Sequence, residues 1–440
     1  MSASLPKSFN LSEPIPSLPD GAISQLITCR PVSGSSFSAG AVIEVDLGNR
    51  GWLDPQSLSI RYKVTVTSGD ASGCALIGTP VFAPFNRVST LVGGASIDTV
   101  SQYNQVAHVL TNVTKDIANK YGVQAGYGWT QPATIAAGNG NMQYLDGGFF
   151  TVNATSSAFY AAPLPGLILT NAEKQLPLFA MPQVRLQFTL DSLNNMFFSS
   201  ATTVDGPKVA TAFTITNFEL CYTMCDLGAG VEKMVYDMGR QLSIKSHGLN
   251  NSAVNVASAT SGSQSYVFNQ RFASIRSAFI CPNRADGIAS KWAEICDITN
   301  GNGDYQLQIG NQAYPQMPLS TALNKSGILQ ETARSANNLY SNNAMSINSN
   351  EFNNKLINDL SNNAGMVYYE PGKFIVGVNL EKVQSGDHVL MSGASTYNTP
   401  ISCVVNVGTA TTNAANLNLI LDYDAILVLD PVARQLSVRS

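Results

Sequence analysis

The sequence has little charge and few of the residues that enzymes use for proton transfer. Asp, Glu, Lys and Arg make up 12% of its 440 residues, about half of the ~25% that is usual for soluble domains. Histidine occurs three times, at His108, His247 and His388. Neutral polar residues must cover the surface instead, so little repulsion would oppose the packing of identical chains side by side.

The sequence also lacks the basic and apolar segments that mark nucleic-acid binding, secretion or membrane insertion. Lys and Arg are scattered and the net charge is −4, which argues against direct, sequence-specific nucleic-acid binding. Residues 1–20 have neither the basic region nor the apolar region of a signal peptide, and no run of about 18 apolar residues is present. We therefore expect a soluble chain made in the cytoplasm.

The seven cysteines do not form a recognisable framework. Their number is odd, their spacing is irregular, and Cys221, Cys281 and Cys403 lie within apolar, strand-like runs, which indicates reduced thiols in the core. Cys221 and Cys225 are too far apart in sequence for a C-x-x-C pair, and no second pair completes a zinc site.

Other polar motifs also favour structural interpretations. Asp422, Asp424 and Asp430 alternate in an apolar strand, which predicts a solvent-facing row of carboxylates rather than a cation site. Residues 300–304 (NGNGD) lack the Lys and Ser or Thr of a phosphate loop and predict a hairpin turn. His108 is predicted to be a structural histidine on a helix. We predict no catalytic, cofactor or metal site.

Apolar and polar residues alternate with the period of two that is typical of half-buried β-strands. Gly93 and Gly94 provide the turn of a hairpin that Ile97 closes. Strands are predicted in the first half of the chain at residues 42–47, 58–66, 85–92, 184–190 and 212–224.

Two segments of the first half carry a helical period instead. Residues 98–122 predict a helix with Asp98 as its N-cap and Gly122 just beyond its end. Residues 226–240 predict a shorter helix between Asp226 and Gly239. Between them, residues 121–141 have so little periodicity that we expect a surface loop.

The second half repeats this succession of elements. Strands are predicted around residues 266–281, 305–309, 374–380, 388–391, 401–407 and 417–429, with a helical, Asn-rich stretch over residues 321–360. The proline-rich start of the chain predicts an extended arm. The predicted organisation is all-β, with an arm at 1–22, a first β-sandwich at 23–225, a linker helix at 226–240 and a second β-sandwich at 241–440.

The order of several segments resembles that of the double-jelly-roll major capsid proteins of polinton-like viruses, virophages and large algal viruses. In the first half the similar segments are residues 85–104, Pro163-Leu164-Pro165-Gly166, residues 176–190 and residues 214–220. In the second half they are residues 271–277, residues 305–311 before Tyr314-Pro315, residues 374–381, Ser392-Gly393, residues 423–427 and residues 436–439.

This resemblance implies two consecutive eight-stranded antiparallel jelly rolls with short inserted helices, in a subunit that is not an enzyme. It also implies a homotrimer with a pseudo-hexagonal outline that forms the icosahedral shell of a DNA virus. The implied partners are neighbouring capsomers, penton proteins, and minor capsid or cement proteins. The arm at 1–22 would lie on the inner side, against a neighbour or an internal membrane, and the protein would reside in the virion.

Two other functions remain open at this stage. A tandem β-sandwich lectin or adhesin would favour clustered tryptophans, whereas Trp52, Trp129 and Trp292 are dispersed. A tandem β-sandwich hydrolase would need two facing carboxylates or a histidine-bearing dyad, and no such pair can be identified from the sequence. If residues 121–141 and 336–354 form outer loops, they could contact a host receptor.

Overall fold

A computed structural model describes most of the chain. The described residues are 21–68, 74–76, 78–115, 125–128, 133–137, 140–144, 149–150, 155–199, 210–237, 239–284, 295–337, 345–347, 352, 366–369, 373–382, 391–411 and 414–440. The predicted arm therefore lies outside the described residues, except for residues 21 and 22.

The first half of the chain forms two main antiparallel sheets, ordered β12-β5-β16-β4-β13, with β1 and β2 also paired to β16, and β3-β14-β7-β8. A smaller sheet is ordered β11-β6-β15. The strands are β1 (Ile23–Cys29), β2 (Ser36–Ser38), β3 (Val42–Asp46), β4 (Trp52–Leu53), β5 (Ser59–Ser68), β6 (Cys74–Leu76), β7 (Phe85–Val92), β8 (Ala95–Ser101), β9 (Ala133–Ala137), β10 (Gly140–Tyr144), β11 (Phe149–Phe150), β12 (Thr155–Pro163), β13 (Leu176–Pro177), β14 (Val184–Leu190), β15 (Phe197–Ser199) and β16 (Ala210–Asp226).

The second half forms another two antiparallel sheets, ordered β17-β25-β19-β23, with β26 also paired to β25, and β18-β24-β20-β21. The strands are β17 (Leu242–Val256), β18 (Gly262–Phe268), β19 (Ile275–Arg284), β20 (Gly303–Ile309), β21 (Gln312–Ser320), β22 (Met366–Tyr369), β23 (Val376–Asn379), β24 (Ile401–Val407), β25 (Ala415–Asp430) and β26 (Gln435–Arg439). The α-helices within the described residues are α1 (Tyr103–Thr114), α2 (Leu193–Met196), α3 (Ala229–Asp237) and α4 (Lys325–Ser335).

The predicted alternation produces the sandwich cores. Strands β14 and β24 bury every second residue, as expected where one face of a sheet packs against a second sheet. In the first sandwich, Phe188 of β14 lies 5.4 Å from Phe85 and 5.2 Å from Phe218 between ring centroids. Phe218 belongs to the facing sheet, so aromatic contacts join the two sheets. The all-β prediction is confirmed.

The predicted hairpin is present, but the helix prediction that followed it was wrong about where the helix begins. Gly93 and Gly94 both have positive φ and connect β7 to β8. Asp98 lies within β8, paired with Thr90, so it is not an N-cap. Helix α1 begins at Tyr103, after Gln102 in the left-handed conformation. The strand thus continues through residues whose apolar spacing also fits a helix. Gly122 lies outside the described residues.

The segment predicted as a loop contains regular structure. Strands β9 and β10 form an antiparallel pair within residues 133–144, and β10 pairs in parallel with β22. The prediction of an irregular loop was therefore wrong for these residues. Because the second partner of β10 is about half the chain away in sequence, no local pattern could have indicated this sheet.

The predicted linker helix is present as α3, but its apolar pattern does not mark a buried face. The Asp226 carboxylate accepts a hydrogen bond from the Gly228 amide (2.8 Å) just before the helix, and Gly239 follows it with φ +57°. Val235 is the buried residue of this helix, whereas Met234 is 64% exposed. The domain boundaries at 225 and 240 remain predictions. In agreement with them, each main sheet is built either from strands before α3 or from strands after it.

Helix α4 lies within the stretch predicted to be helical in the second half. The Asn324 side chain accepts a hydrogen bond from the Gly327 amide (2.8 Å) and caps it, as is usual at a helix start. Most of residues 338–360 and residue His388 lie outside the described residues. Within the described part of the chain, no helix is long and apolar enough to cross a bilayer.

Candidate functional site

The two sandwiches meet where strand β17 of the second lies beside β8, helix α1 and residues 164–173 of the first. The Ser246 hydroxyl donates to the Ile168 carbonyl (2.5 Å), and the Glu173 amide donates to the Lys245 carbonyl (3.0 Å). The Asn251 side-chain amide donates to the Gln102 side-chain oxygen (2.9 Å). We call this region the junction. Backbone groups take part in it, so the junction fixes chain positions as well as side chains.

A glycine allows the close approach at the junction. A Cβ atom added to Gly248 would lie 2.6 Å from the Tyr423 hydroxyl oxygen and 2.8 Å from Ile168 Cγ1. Both distances are shorter than a packed interior tolerates. A larger residue at position 248 would therefore require the Tyr423 and Ile168 side chains to shift.

A group of charged side chains lies beside the junction, on one face of the sheet that contains β17, β25 and β19. Asp422 and Asp424 are two residues apart on β25 and therefore point to the same face. Asp422 is the cross-strand neighbour of Ser277 on β19 and of Leu249 on β17. The prediction that these carboxylates face solvent was wrong, because their side chains are only 17% and 6% exposed.

Both carboxylates are paired with other side chains. Arg276 Nε lies 2.9 Å from Glu381 Oε1 and 4.0 Å from Asp424 Oδ1, and its Nη1 lies 3.8 Å from Asp422 Oδ2. His247 Nδ1 lies 2.9 Å from Asp422 Oδ1. The Ser274 hydroxyl donates to Asp424 Oδ2 (2.5 Å). We call Arg276, His247, Asp422, Asp424 and Glu381 the junction cluster.

The charges of the cluster stabilise the ionised forms of Asp422 and Arg276. Burial raises the pKa of Asp422, but His247 and Arg276 lower it by more, so it lies below its ordinary value. Burial lowers the pKa of Arg276. The neighbouring carboxylates of Asp422, Glu381 and Asp424 raise it by more, so the pKa lies above its ordinary value. Arg276 is paired with three carboxylates, so removing the guanidinium would leave several buried negative charges without their shared cation, which is costly.

A cavity of about 300 Å³ opens beside the cluster and is lined by both halves of the chain. Its polar lining contains acidic, basic, amide and hydroxyl side chains, namely Thr114, Asn171, His247, Arg276, Ser277, Ser335, Asn337 and Asp422. Ser277 is 3% exposed, and its hydroxyl has no hydrogen-bond partner among the residues that the structure describes. The apolar lining consists mainly of Leu110, Val113, Leu249 and Phe279.

A second buried acid, Asp98 of β8, lies on the first sandwich's side of the junction. Its Oδ2 atom accepts a hydrogen bond from the Ile168 amide (2.9 Å). Burial raises the pKa of this carboxyl to about 6, although hydrogen bonds from the Ile168 and Thr99 amides act to lower it. The folded chain therefore holds a proton on Asp98 more tightly than the unfolded chain does.

Asp98→Asn should change how the free energy of unfolding depends on pH. Above the unfolded pKa of about 4 the wild type loses stability as Asp98 ionises, by about 3 kcal/mol at full ionisation. The variant lacks this loss, so its stability relative to wild type should rise by about that amount between pH 4 and pH 7.5. Urea denaturation at both pH values measures the difference. A difference that does not change with pH would contradict the assignment.

The other residues considered in the sequence are not gathered into a site. His108 is 1% exposed, and its Nδ1 lies 3.1 Å from the Thr79 hydroxyl, inside the first sandwich. Asp430 accepts hydrogen bonds from the Val432 and Ala433 amides in the turn before β26. Among the described residues, no three His, Cys, Asp or Glu side chains are placed to hold a metal ion.

The thiols have the structural role that was predicted, but the glycine-rich turn does not join a hairpin, because β20 after it pairs with β21 and β24 and not with β19, the strand that precedes it among the described residues. Cys221, Cys281 and Cys403 are buried and not in disulfides. The turn at residues 300–304 folds around the Asp297 carboxylate, which accepts hydrogen bonds from the amides of Thr299 and Gly301 (2.9 Å each). It leads into β20 and leaves these amides no capacity to bind a phosphate.

The surface has features of a protein that is covered by neighbours. Strand β12 is at the edge of its sheet and has no charged residue, and its Phe159 is 72% exposed. In the second sandwich, Met317 of the edge strand β21 is 81% exposed, and Leu323 just beyond it is 89% exposed. Uncharged edges and exposed large apolar side chains favour association with another chain.

Comparison with known proteins identifies the fold but no sequence family. No family model and no curated protein matches the sequence. Solved viral structures do match its fold. The PBCV-1 protein VP54 is 11% identical, with a TM-score of 0.61 over 98% of this chain and 99% of VP54.

Two further structures agree with this match. A chain from the cryo-EM structure of the Sputnik virophage is 12% identical, with a TM-score of 0.58 over 100% of this chain and 92% of that one. The Faustovirus major capsid protein is 9% identical, with a TM-score of 0.59 over 95% of this chain and 92% of that protein. Over nearly its whole length, the chain therefore has the double-jelly-roll fold of these viral capsid structures.

Proposed function

We propose that the chain is the major capsid protein of an icosahedral DNA virus, a structural subunit that acts in the virion without catalysing a reaction. The observation that carries the proposal is the pair of side-by-side sandwiches, matched over nearly the whole chain by viral capsid structures. Isolated jelly rolls occur in many proteins. A tandem pair of jelly rolls that is matched over nearly its full length restricts the possible functions far more than a single jelly roll does.

In the proposed assembly, three chains close a ring so that six sandwiches form a pseudo-hexagonal block. Each contact is heterologous, because one patch of a subunit meets a different patch of its neighbour. The exposed apolar side chains on edge strands of both sandwiches, Phe159 and Met317, suit such contacts. Neighbouring capsomers, penton proteins and minor or cement proteins would bind the outer sides of the block, and the arm at 1–22 would reach a neighbour or an internal membrane.

The test is the mass of the purified chain in solution, measured by light scattering and followed by negative-stain imaging. We expect a stable particle of three times 46.8 kDa with a hexagonal outline. Because charged residues are few, the contacts should be mainly apolar and neutral polar. The trimer should therefore persist at about 1 M salt, where exposed charges are screened within ~3 Å.

A monomer that binds glycans on an array would favour the lectin alternative, for which the described residues offer no supporting feature. A monomer without glycan binding, which stays monomeric when concentrated, would contradict the proposed self-assembly. A trimer that dissociates in salt would retain the capsid function but reject the apolar nature of the contacts.

A further inference from the structure

We infer that the contact between copies of this chain repeats the junction within the chain. In this contact the β21 edge of one chain's second sandwich packs against the outer face of the sheet that carries β1 in the next chain's first sandwich. The inference rests on the proposed function, because it names the two surfaces that meet in the proposed trimer. A second copy of this chain is therefore the partner of both surfaces.

The two sandwiches are built to one plan. In the first, β1 pairs with β16 at one side of the sheet β16-β5-β12, and the facing sheet is β3-β14-β7-β8. In the second, the corresponding sheets are β17-β25-β19-β23 and β18-β24-β20-β21. By this correspondence β1 holds the place of β17, and β21 holds the place of β8. The junction brings β8 beside β17, so the equivalent approach brings β21 of one chain beside β1 of another.

Strand β17 is covered on both faces, although it lies at the edge of its sheet. Its consecutive residues Gly248 and Leu249 are both buried, and consecutive residues of a strand point to opposite faces. Ile168 lies beside Gly248, and Gly166 lies beside the Leu249 side chain. The first sandwich therefore supplies part of the cover of β17.

Strand β1 holds the same place in the first sandwich but has no buried residue. Ile23 is 59% exposed and Leu26 is 55% exposed, and these residues are three positions apart, so they lie on opposite faces. Nothing in the described part of the chain covers β1 as the first sandwich covers β17. Residues 23–29 carry no charge, so a partner that covers them would bury no unpaired ion.

The outer face of the sheet that carries β1 offers a groove to a partner. Leu26 pairs with Thr223 of β16, which lies four residues from Glu219 and therefore on the same face. Glu219 in turn pairs with Arg61 of β5. The groove has a volume of about 710 Å³ and is lined by Arg61, Glu219 and the exposed ring of Phe159. The corresponding face of the second sandwich lines the junction cavity, opposite helix α1 of the first sandwich.

The β21 edge carries apolar side chains that can fill such a groove. Met317 of β21 and Leu323 just after it are the two most exposed large apolar side chains in the described part of the chain. Pro315 and Pro318 flank Met317 closely and have no N–H group, so this edge is poorly suited to extend a sheet by backbone pairing. Contact through side chains is favoured instead, and the flexible thioether of Met317 adapts to an irregular surface.

Cysteine cross-linking tests which surfaces meet. The double variant Leu26→Cys/Met317→Cys is made in a chain in which Cys29→Ser and Cys225→Ser remove the half-buried thiols among the described cysteines. A short bis-maleimide should link its copies into covalent species of two and three times 46.8 kDa on a denaturing gel. A link within one chain would not increase the mass.

The matched control is Val267→Cys/Met317→Cys in the same background. Val267 is 51% exposed, close to the value for Leu26, and lies on the uncharged strand β18. Strand β18 is at the opposite edge of the sheet that contains β21. Val267 is therefore outside the inferred contact, and this variant should remain a single chain on the gel.

Met317→Asp should weaken trimer formation at least about tenfold, because the contact would bury an unpaired charge, whereas Val267→Asp should not weaken it. Light scattering over a dilution series measures both. A trimer in which Leu26 and Met317 cannot be linked, in which Val267 links equally well, or which tolerates Met317→Asp would overturn the inference and leave the proposed function standing. A chain that never forms a trimer would reject the proposed function and the inference with it.

Discussion

Arg276→Met is expected to lower the free energy of unfolding by about 3–5 kcal/mol, as is typical when one partner of a buried ion pair is removed. Methionine preserves much of the aliphatic volume but leaves Asp422, Asp424 and Glu381 without their shared cation. Arg276 lowers the pKa of Asp422, so its contribution is present above the ordinary carboxyl pKa of about 4 and is lost as the pH falls below that value; the difference between variant and wild type should therefore shrink there. Urea denaturation at pH 7.5 and about pH 3 measures both effects.

The matched control is Arg185→Met in the first sandwich. Arg185 also contacts two carboxylates, those of Asp46 (2.6 Å) and Glu44 (3.1 Å), but its side chain is 36% exposed. Pairs in such surroundings contribute about 0–1 kcal/mol. If the two variants lose the same amount, burial of the junction cluster is not what makes Arg276 important.

Phe188→Ala should cost about 3–5 kcal/mol of unfolding free energy, the range for removing a buried aromatic ring. The Phe188 ring is fully buried. It contacts Phe85 in its own sheet and Phe218 in the facing sheet of the first sandwich. Its removal leaves a cavity that rigid sheets cannot close. Denaturant unfolding of the purified variant gives the value, with Phe188→Leu expected to lose less because it fills part of the space.

Phe159→Ala is the matched control for Phe188→Ala. Phe159 is 72% exposed and touches the Lys63 ammonium at 5.6 Å from the ring centroid, so stability of the isolated chain should change by less than about 1 kcal/mol. A loss close to that of Phe188→Ala would mean that Phe159 is covered in solution, as a contact between copies would produce.

Much of the fold could be predicted because period two is a local signal. Strands β14 and β24 alternate cleanly, and each lies where the alternation placed it. The start of α1 could not be found in the same way. Val100 fits the helical spacing of the following residues, yet it pairs with Val88 in a sheet. The hydrogen bonds of that sheet depend on β7, so they override the helical tendency of residues 98–102.

Alternation does not predict the junction cluster, because alternation alone indicates that one face of β25 meets water. That strand is central in its sheet, with β17 on one side and β19 and β26 on the other. Its sequence carries a signal of this position, since the consecutive residues Leu419, Ile420 and Leu421 are all buried. A strand that is apolar on both faces predicts buried aspartates, and buried aspartates require partners. Which partners they have depends on β17 and β19, and sequence alone does not indicate that pairing.

The junction also limits where a shell could bend. Ser246, Glu173 and Asn251 form hydrogen bonds across it, and Gly248 lies close to the Ile168 side chain of the first sandwich. The two sandwiches should therefore move as one stiff plate. In the proposed shell, curvature and the fit to vertices would have to come from hinging between separate chains, and substitutions that change particle size should map to those outer contacts.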